Sequence, residues 1–286
     1  MNRSLSHWWG RVLVFILLTA AFYYGLSPFD LTVYFNAAVL FISLLIATIL
    51  VESGRIGGKI MHTGLHFDKF TLPLFLKGFL LALIPIISIG LLSWLFGGRL
   101  ILNRNFAWDD GYSFLTYFYF LNAAEEELIF RGIIFQAIIS KFNPWLVSFI
   151  FSALFSIAHM FNPEIGYIAY INIFLSGLIF CLMYIRTLSL ILPISFHFFW
   201  NWLQFILLSK PISGIYFAPG IFSLYVPENP FTIFIFGDNF GIESGFAVTL
   251  SMIIILLIMN KIADADPYIS SSLFKRRVKE AELTSY

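Results

Sequence analysis

Apolar residues run along this chain in long unbroken stretches and do not alternate with polar ones. Eight stretches stand out, at about 12–28, 31–51, 72–96, 112–139, 144–160, 165–185, 189–208 and 244–261. Most approach the roughly 18–20 residues a helix needs to cross a hydrocarbon layer. Continuous hydrophobicity predicts helices and argues against a barrel, whose strands would alternate. The pattern therefore predicts an all-α, polytopic transmembrane helical bundle of about eight spans, with residues 1–286 as a single integral membrane domain. The fourth stretch is long enough to tilt, or to begin as an interfacial segment around Tyr112–Tyr119. No internal repeat is visible, so a transporter built from inverted repeats has no support. The first run follows Arg3 and Arg11, as a signal peptide would. Its end, LTAAFYYG, is a poor cleavage site and another apolar run starts almost at once, so a retained first span is expected.

Composition agrees with this pattern. Hydrophobic residues make up 59% of the chain and charged residues 12%, and the mean hydropathy is +0.87. A net charge of +1 suggests no nucleic-acid partner, and a single cysteine, Cys181, leaves no intrachain disulfide framework.

The distribution of charge orients the spans. With the N-terminus inside, one side collects Arg3, Arg11, Arg55, Lys59, Lys69, Lys77, Lys141, Arg186, Lys261, Lys275, Arg276, Arg277 and Lys279. The other side collects Arg99, Arg104 and Lys210. Basic residues concentrate on the cytoplasmic side, so both termini are expected there, in the cell membrane. Residues 52–71 then form a polar cytoplasmic loop. Residues 209–243 form a long external loop rich in Pro, Gly and aromatics, expected to lie at the interface and to cap the bundle. Residues 262–286 form a basic cytoplasmic tail that suits lipid headgroups. His62 and His66 in the first loop are four residues apart, but flanking Gly and Lys favour an ordinary loop over a metal site.

Few ionisable residues remain inside the spans. They are Glu125, Glu126, Glu127 and Arg131 in LNAAEEELIFRG (121–132), His159, and His197. Such groups are costly in a membrane and mark functional sites unless they only pin helices together. Residues four apart share a helix face, whereas adjacent ones point about 100° apart. Glu127 and Arg131 can therefore pair, a structural role. Glu126 has Asn122 and Phe130 as same-face neighbours and is left to face a cavity and exchange protons. Glu125 points another way and reads as a solvated bystander. His197 and Asn201, also four apart, suit stabilisation of a developing oxyanion. His159 alone reads equally as an interfacial histidine beside the turn FNPE. Together, a carboxylate, two histidines and an asparagine could activate water and stabilise a tetrahedral intermediate.

These residues fall in three motifs whose order and spacing resemble a known family. EELIFRG (126–132) resembles the EExxxR motif, FSIAH (155–159) the FxxxH motif, and HFFWN (197–201) the HxxxN motif of the CPBP family. This is the family of CAAX proteases and bacteriocin-processing enzymes, also called Abi or glutamate-type intramembrane proteases. The stretch YIRTLSLILPISFH (184–197) is similar to the family's approach to its third motif, and the resemblance spans about 120–205. It implies a helical bundle with a conical, water-accessible cavity open to membrane and cytoplasm. It implies an intramembrane endopeptidase acting on a membrane-embedded or lipidated peptide or protein. Glu126 and His159 would activate water, His197 and Asn201 would form the oxyanion hole, and Glu127 and Arg131 would support the site. No cofactor is expected. A zinc-dependent version with Glu126, His159 and His197 as ligands stands as the alternative, less favoured because no HExxH pair occurs.

Other intramembrane proteases fit less well. There is no HExxH for a site-2-type zinc enzyme, and the nearest approach to a rhomboid GxSG is Gly111-Tyr112-Ser113-Phe114. The only Gly-Asp of presenilin type, Gly237-Asp238, lies in the external loop. A non-proteolytic relative, serving in bacteriocin immunity, as a scaffold or in transport, is the other class. It would be expected to lose a motif residue, and all six are present.

Overall fold

The computed structural model describes residues 5, 7–26, 33–54, 63–65 and 68–265. His62, His66, half of the 52–71 loop and the tail from 266 lie outside the described residues. The elements are α1 (Trp8–Leu26), α2 (Val33–Gly54), α3 (Thr71–Leu95), β1 (Arg99–Leu102), α4 (Asp110–Arg131), α5 (Ile133–Ile139) and α6 (Pro144–Ala158). They continue with α7 (Tyr167–Thr187), α8 (Ile191–Leu208), β2 (Phe222–Tyr225), α9 (Pro230–Phe236), a 3-10 turn (Ile242–Ser244) and α10 (Phe246–Ala265).

The eight expected apolar stretches are all helical, seven of them as one helix each (α1–α3, α6–α8 and α10). Five of them, α1, α2, α3, α7 and α8, are long and apolar enough by themselves to cross a membrane, while α6 and α10 offer shorter apolar stretches. Many large apolar side chains remain exposed, such as Leu72, Leu80, Leu91 and Trp94 on α3 and Leu146, Phe149 and Ile157 on α6. Apolar helices that keep such faces outward are suited to lipid. The chain is an integral membrane helical bundle.

Two features differ from the expectation. The fourth stretch is two helices, because the chain turns sharply at Gly132 (φ −75°, ψ −146°). A Cβ there would run into the carbonyl of Leu128, so only glycine fits. Gln136 then donates to the carbonyl of Arg131 (3.0 Å), one of the groups the break frees. The second difference is a two-stranded antiparallel sheet, with Arg99 opposite Tyr225 and Leu102 opposite Phe222.

Polar ties fix which helix ends lie together. At one end β1 pairs with β2, and the Tyr112 hydroxyl donates to the carbonyl of Pro219 (2.7 Å). At the same end Asn172 of α7 donates to the carbonyls of Glu243 (2.7 Å) and Gly245 (3.0 Å). At the opposite end Gln136 donates to the carbonyl of Thr63 (2.9 Å), the amide of Leu190 to that of Gly64 (2.8 Å), and Arg186 to Asn260 (2.9 Å).

Helix α8 is the most enclosed, with His197, Asn201 and Gln204 buried alongside its apolar residues. It packs closely on α3. Ser195 donates to the carbonyl of Phe75 (2.6 Å), and a Cβ on Gly78 would collide with Ser195. One apolar core joins α3, α7, α8 and α10, and a second joins α1 and α2 to α4–α6.

Candidate active site

The three glutamates of α4 diverge as helical geometry requires. Glu127 is fully buried, and its Oε1 accepts from Arg131 at 3.2 Å. Arg131, equally buried, also donates to the carbonyl of Gly177 (2.9 Å). Its guanidinium lies over the rings of Phe155 (4.8 Å) and Phe180 (4.9 Å). A buried charge thus has an ion pair, a carbonyl and two π faces. The Phe of the second motif stands against the Arg of the first.

Glu126 faces the other way. Its side chain is 21% exposed, and Oε1 accepts from Asn122 (3.2 Å), the neighbour that four-residue spacing predicts. It lines a cavity of about 790 Å³. Glu125 does not line that cavity, and its Oε2 is buried without a hydrogen-bond partner among the described residues. As a residue Glu125 is partly exposed, and it stands outside the cavity lining.

His197, on α8, carries one feature that its sequence neighbours did not suggest. Nδ1 lies 3.1 Å from Glu127 Oε1, the same oxygen that Arg131 uses. An ionised carboxylate only accepts, so Nδ1 is the protonated nitrogen of this contact. Nε2 is then turned toward Glu126, 3.8 Å from Oε2, beyond hydrogen-bond length. The ring stacks on Phe180 (4.9 Å between centroids). Glu127 thus orients His197 as well as Arg131.

His159 caps the end of α6. Its Nδ1 is 2.8 Å from the carbonyl of Phe155, which can only accept, so in the neutral ring Nε2 keeps its lone pair. The Phe155 ring packs edge-on against it (4.8 Å). His159, His197 and Asn201 line the same cavity as Glu126. The structure therefore brings all four candidate catalytic residues to one space, with Glu127 and Arg131 behind it.

Sequence reasoning missed Glu243. It lines the same cavity from the end of the 209–243 segment, together with Ser213 and Phe217. Its Oε1 accepts from Trp200 (3.1 Å) and Gln204 (3.4 Å), and its Oε2 accepts from the amide (3.0 Å) and hydroxyl (3.1 Å) of Ser213. The carboxylate clasps the loop to α8 one turn from Asn201. Its position in FGIESG, just before an apolar stretch, was the only signal, and no spacing rule links it to Trp200.

Among the described residues no three His, Cys, Asp or Glu side chains are grouped as a set that could hold a metal ion. Glu126, His159 and His197 are not so arranged. On each histidine Nδ1 is engaged by a protein oxygen and Nε2 is the remaining nitrogen.

The fold and the cavity define a class: polytopic helical membrane proteins with a carboxylate, two histidines and an asparagine on three helices around a buried space. Within it, residues 108–203 match the family model for Type II CAAX prenyl endopeptidase Rce1-like proteins. This segment, about a third of the chain, contains all three motifs, and the match agrees with the CAAX-protease resemblance. No curated protein matches the chain.

Proposed function

We propose that the chain is an intramembrane endopeptidase that hydrolyses a peptide bond in a membrane-associated or lipid-modified peptide or protein without a metal. The observation that carries this is the convergence of Glu126, His159, His197 and Asn201 on one cavity. Glu126 takes a proton from water, and the oxygen attacks the scissile carbonyl carbon. His159, with a lone pair on Nε2, holds that water. The carbonyl oxygen gains negative charge and is met by donors from α8, the Asn201 amide and His197. Because Nδ1 of His197 already donates to Glu127, donation from Nε2 needs the imidazolium, with Glu126 and Glu127 as counter-charges. As the intermediate collapses, the C–N bond breaks and the proton on Glu126 passes to the amine. Glu127 and Arg131 touch no substrate and hold the His197 ring in place.

The partners are a bilayer and a membrane-associated substrate. The test is substrate trapping with the whole chain: membrane peptides that accumulate uncleaved with Glu126→Gln are identified, then offered to purified wild-type protein in vesicles. Loss of a general base costs about 10²–10⁴ in rate. Equal cleavage by Glu126→Gln and wild type would overturn the assignment.

A further inference from the structure

The family resemblance implies a cavity open to the cytoplasm, yet here the cavity lies at the other end of the bundle. Its outer lining is Asn162, between α6 and α7, with Ile212, Ser213, Ile215, Phe217 and Glu243 from the segment after α8. These residues share the end where β1 pairs with β2 and where Asn172 ties α7 to Gly245. The deeper residues, Glu126 and Phe180, lie past the middle of α4 and α7, toward their C-terminal ends.

Charge is distributed oppositely. Lys69 and Lys77 at the start of α3, Lys141 between α5 and α6, Arg186 at the end of α7 and Lys261 on α10 all lie at the end away from the cavity mouth. Arg11 joins them at the start of α1, bound to Glu52 at the end of α2 (3.2 Å). At the mouth end stand Arg99, Arg104 and Lys210, amid Asp109, Asp110, Glu164, Glu228 and Asp238. Lys210 is half-buried, and burial lowers its pKa against the pull of Glu228. Membrane proteins keep Lys and Arg in short loops on the cytoplasmic side, because translocating them is unfavourable.

Joining the two observations, we infer that the cavity opens on the face of the membrane away from the cytoplasm. Its substrates would then be membrane-tethered segments of exported chains, not C-termini presented in the cytosol. This rests on the peptidase reading for the word substrate, but not for the direction of the mouth. The cavity wall suits such a segment. Phe118, Phe130, Phe155 and Phe180 present rings to an apolar peptide, while Glu126 and Asn201 supply polar groups.

The test is a topology measurement on the full chain in intact cells. Phe161, 88% exposed beside the mouth, and Lys141, exposed at the opposite end, are each replaced in turn by Cys. Cys181 is fully buried, so the unsubstituted chain serves as the zero for labelling. A membrane-impermeant maleimide is expected to label Phe161→Cys in intact cells, and Lys141→Cys only after lysis. Tyr167→Cys, 91% exposed at the same end, is expected to behave as Phe161→Cys and guards against a local defect. Labelling of Lys141→Cys in intact cells, with Phe161→Cys and Tyr167→Cys silent until lysis, would overturn the inference. Labelling is read whether or not the chain cleaves anything. Loss of cleavage in Glu126→Gln is read whichever way the mouth faces, so the two readings fail separately.

Discussion

Replacing Arg131 by Met, Glu127 by Gln, and then both, tests whether the buried pair behind the cavity behaves as one electrostatic unit. Both side chains are fully excluded from solvent and share a 3.2 Å contact. Arg131→Met leaves Glu127 buried with His197 as its remaining polar contact at 3.1 Å. Removing one partner of such a pair typically costs about 3–5 kcal/mol. Glu127→Gln keeps an oxygen that can accept from both Arg131 and His197, so shape survives while charge does not. The guanidinium retains Gly177 and the rings of Phe155 and Phe180, and each such ring contact is worth about 0.5–2 kcal/mol. The expected loss is therefore smaller, about 2–3 kcal/mol. With both charges gone nothing buried is left uncompensated, and the double variant is expected to recover much of the summed loss. The coupling should be about 2–3 kcal/mol, whereas independent sites add to within about 0.5 kcal/mol. Unfolding of the purified protein in detergent, followed for the wild type and all three variants, measures it. Strict additivity would refute the reasoning. Cleavage should stay impaired even in the stable double variant, because His197 loses the counter-charge that its imidazolium needs.

Further outcomes follow from other contacts. Glu243→Gln cannot accept from both the amide and the hydroxyl of Ser213 while still serving Trp200 and Gln204, so a loss of about 1–3 kcal/mol is expected. Limited proteolysis should then cut within 209–243 sooner than in wild type, and unchanged protection would refute the clasp. Asn201→Ala should lower the rate by about 10²–10³ if its amide meets the oxyanion, measured as turnover with stability unchanged. Gly132→Ala forces a Cβ onto the Leu128 carbonyl, and should lower the unfolding temperature. An unaltered unfolding temperature would mean the turn relaxes freely. Chelation should leave cleavage intact, and loss of activity restored by zinc would put a metal in the step.

What was legible in the sequence was local. Four-residue spacing is enough to pair Glu127 with Arg131 and Asn122 with Glu126, because helical geometry alone brings them together. The helices were legible as apolar stretches, because lipid demands them. The break at Gly132 was not, since apolar residues continue across it and only backbone angles reveal it. The pairing of β1 with β2 joins segments with five helices between them, and no periodicity announces it. The contact of His197 with Glu127 depends on how α4 and α8 pack. The same is true of Glu243, whose partners come from α8 and from the start of its own loop.

Helix α3 contributes no residue to the cavity, yet it governs what the cavity contains. Ser195 is held to Phe75 and pressed into the space at Gly78, two residues before His197. A helix turns by about 100° per residue. If α8 slipped by one position, His197 and Asn201 would swing away from Glu126 together. The contact acts as an indexing pin that sets the angle of the helix carrying both donors. Filling the notch at Gly78 with a larger side chain would therefore detune the chemistry from the far side of α8 without touching any residue that performs it.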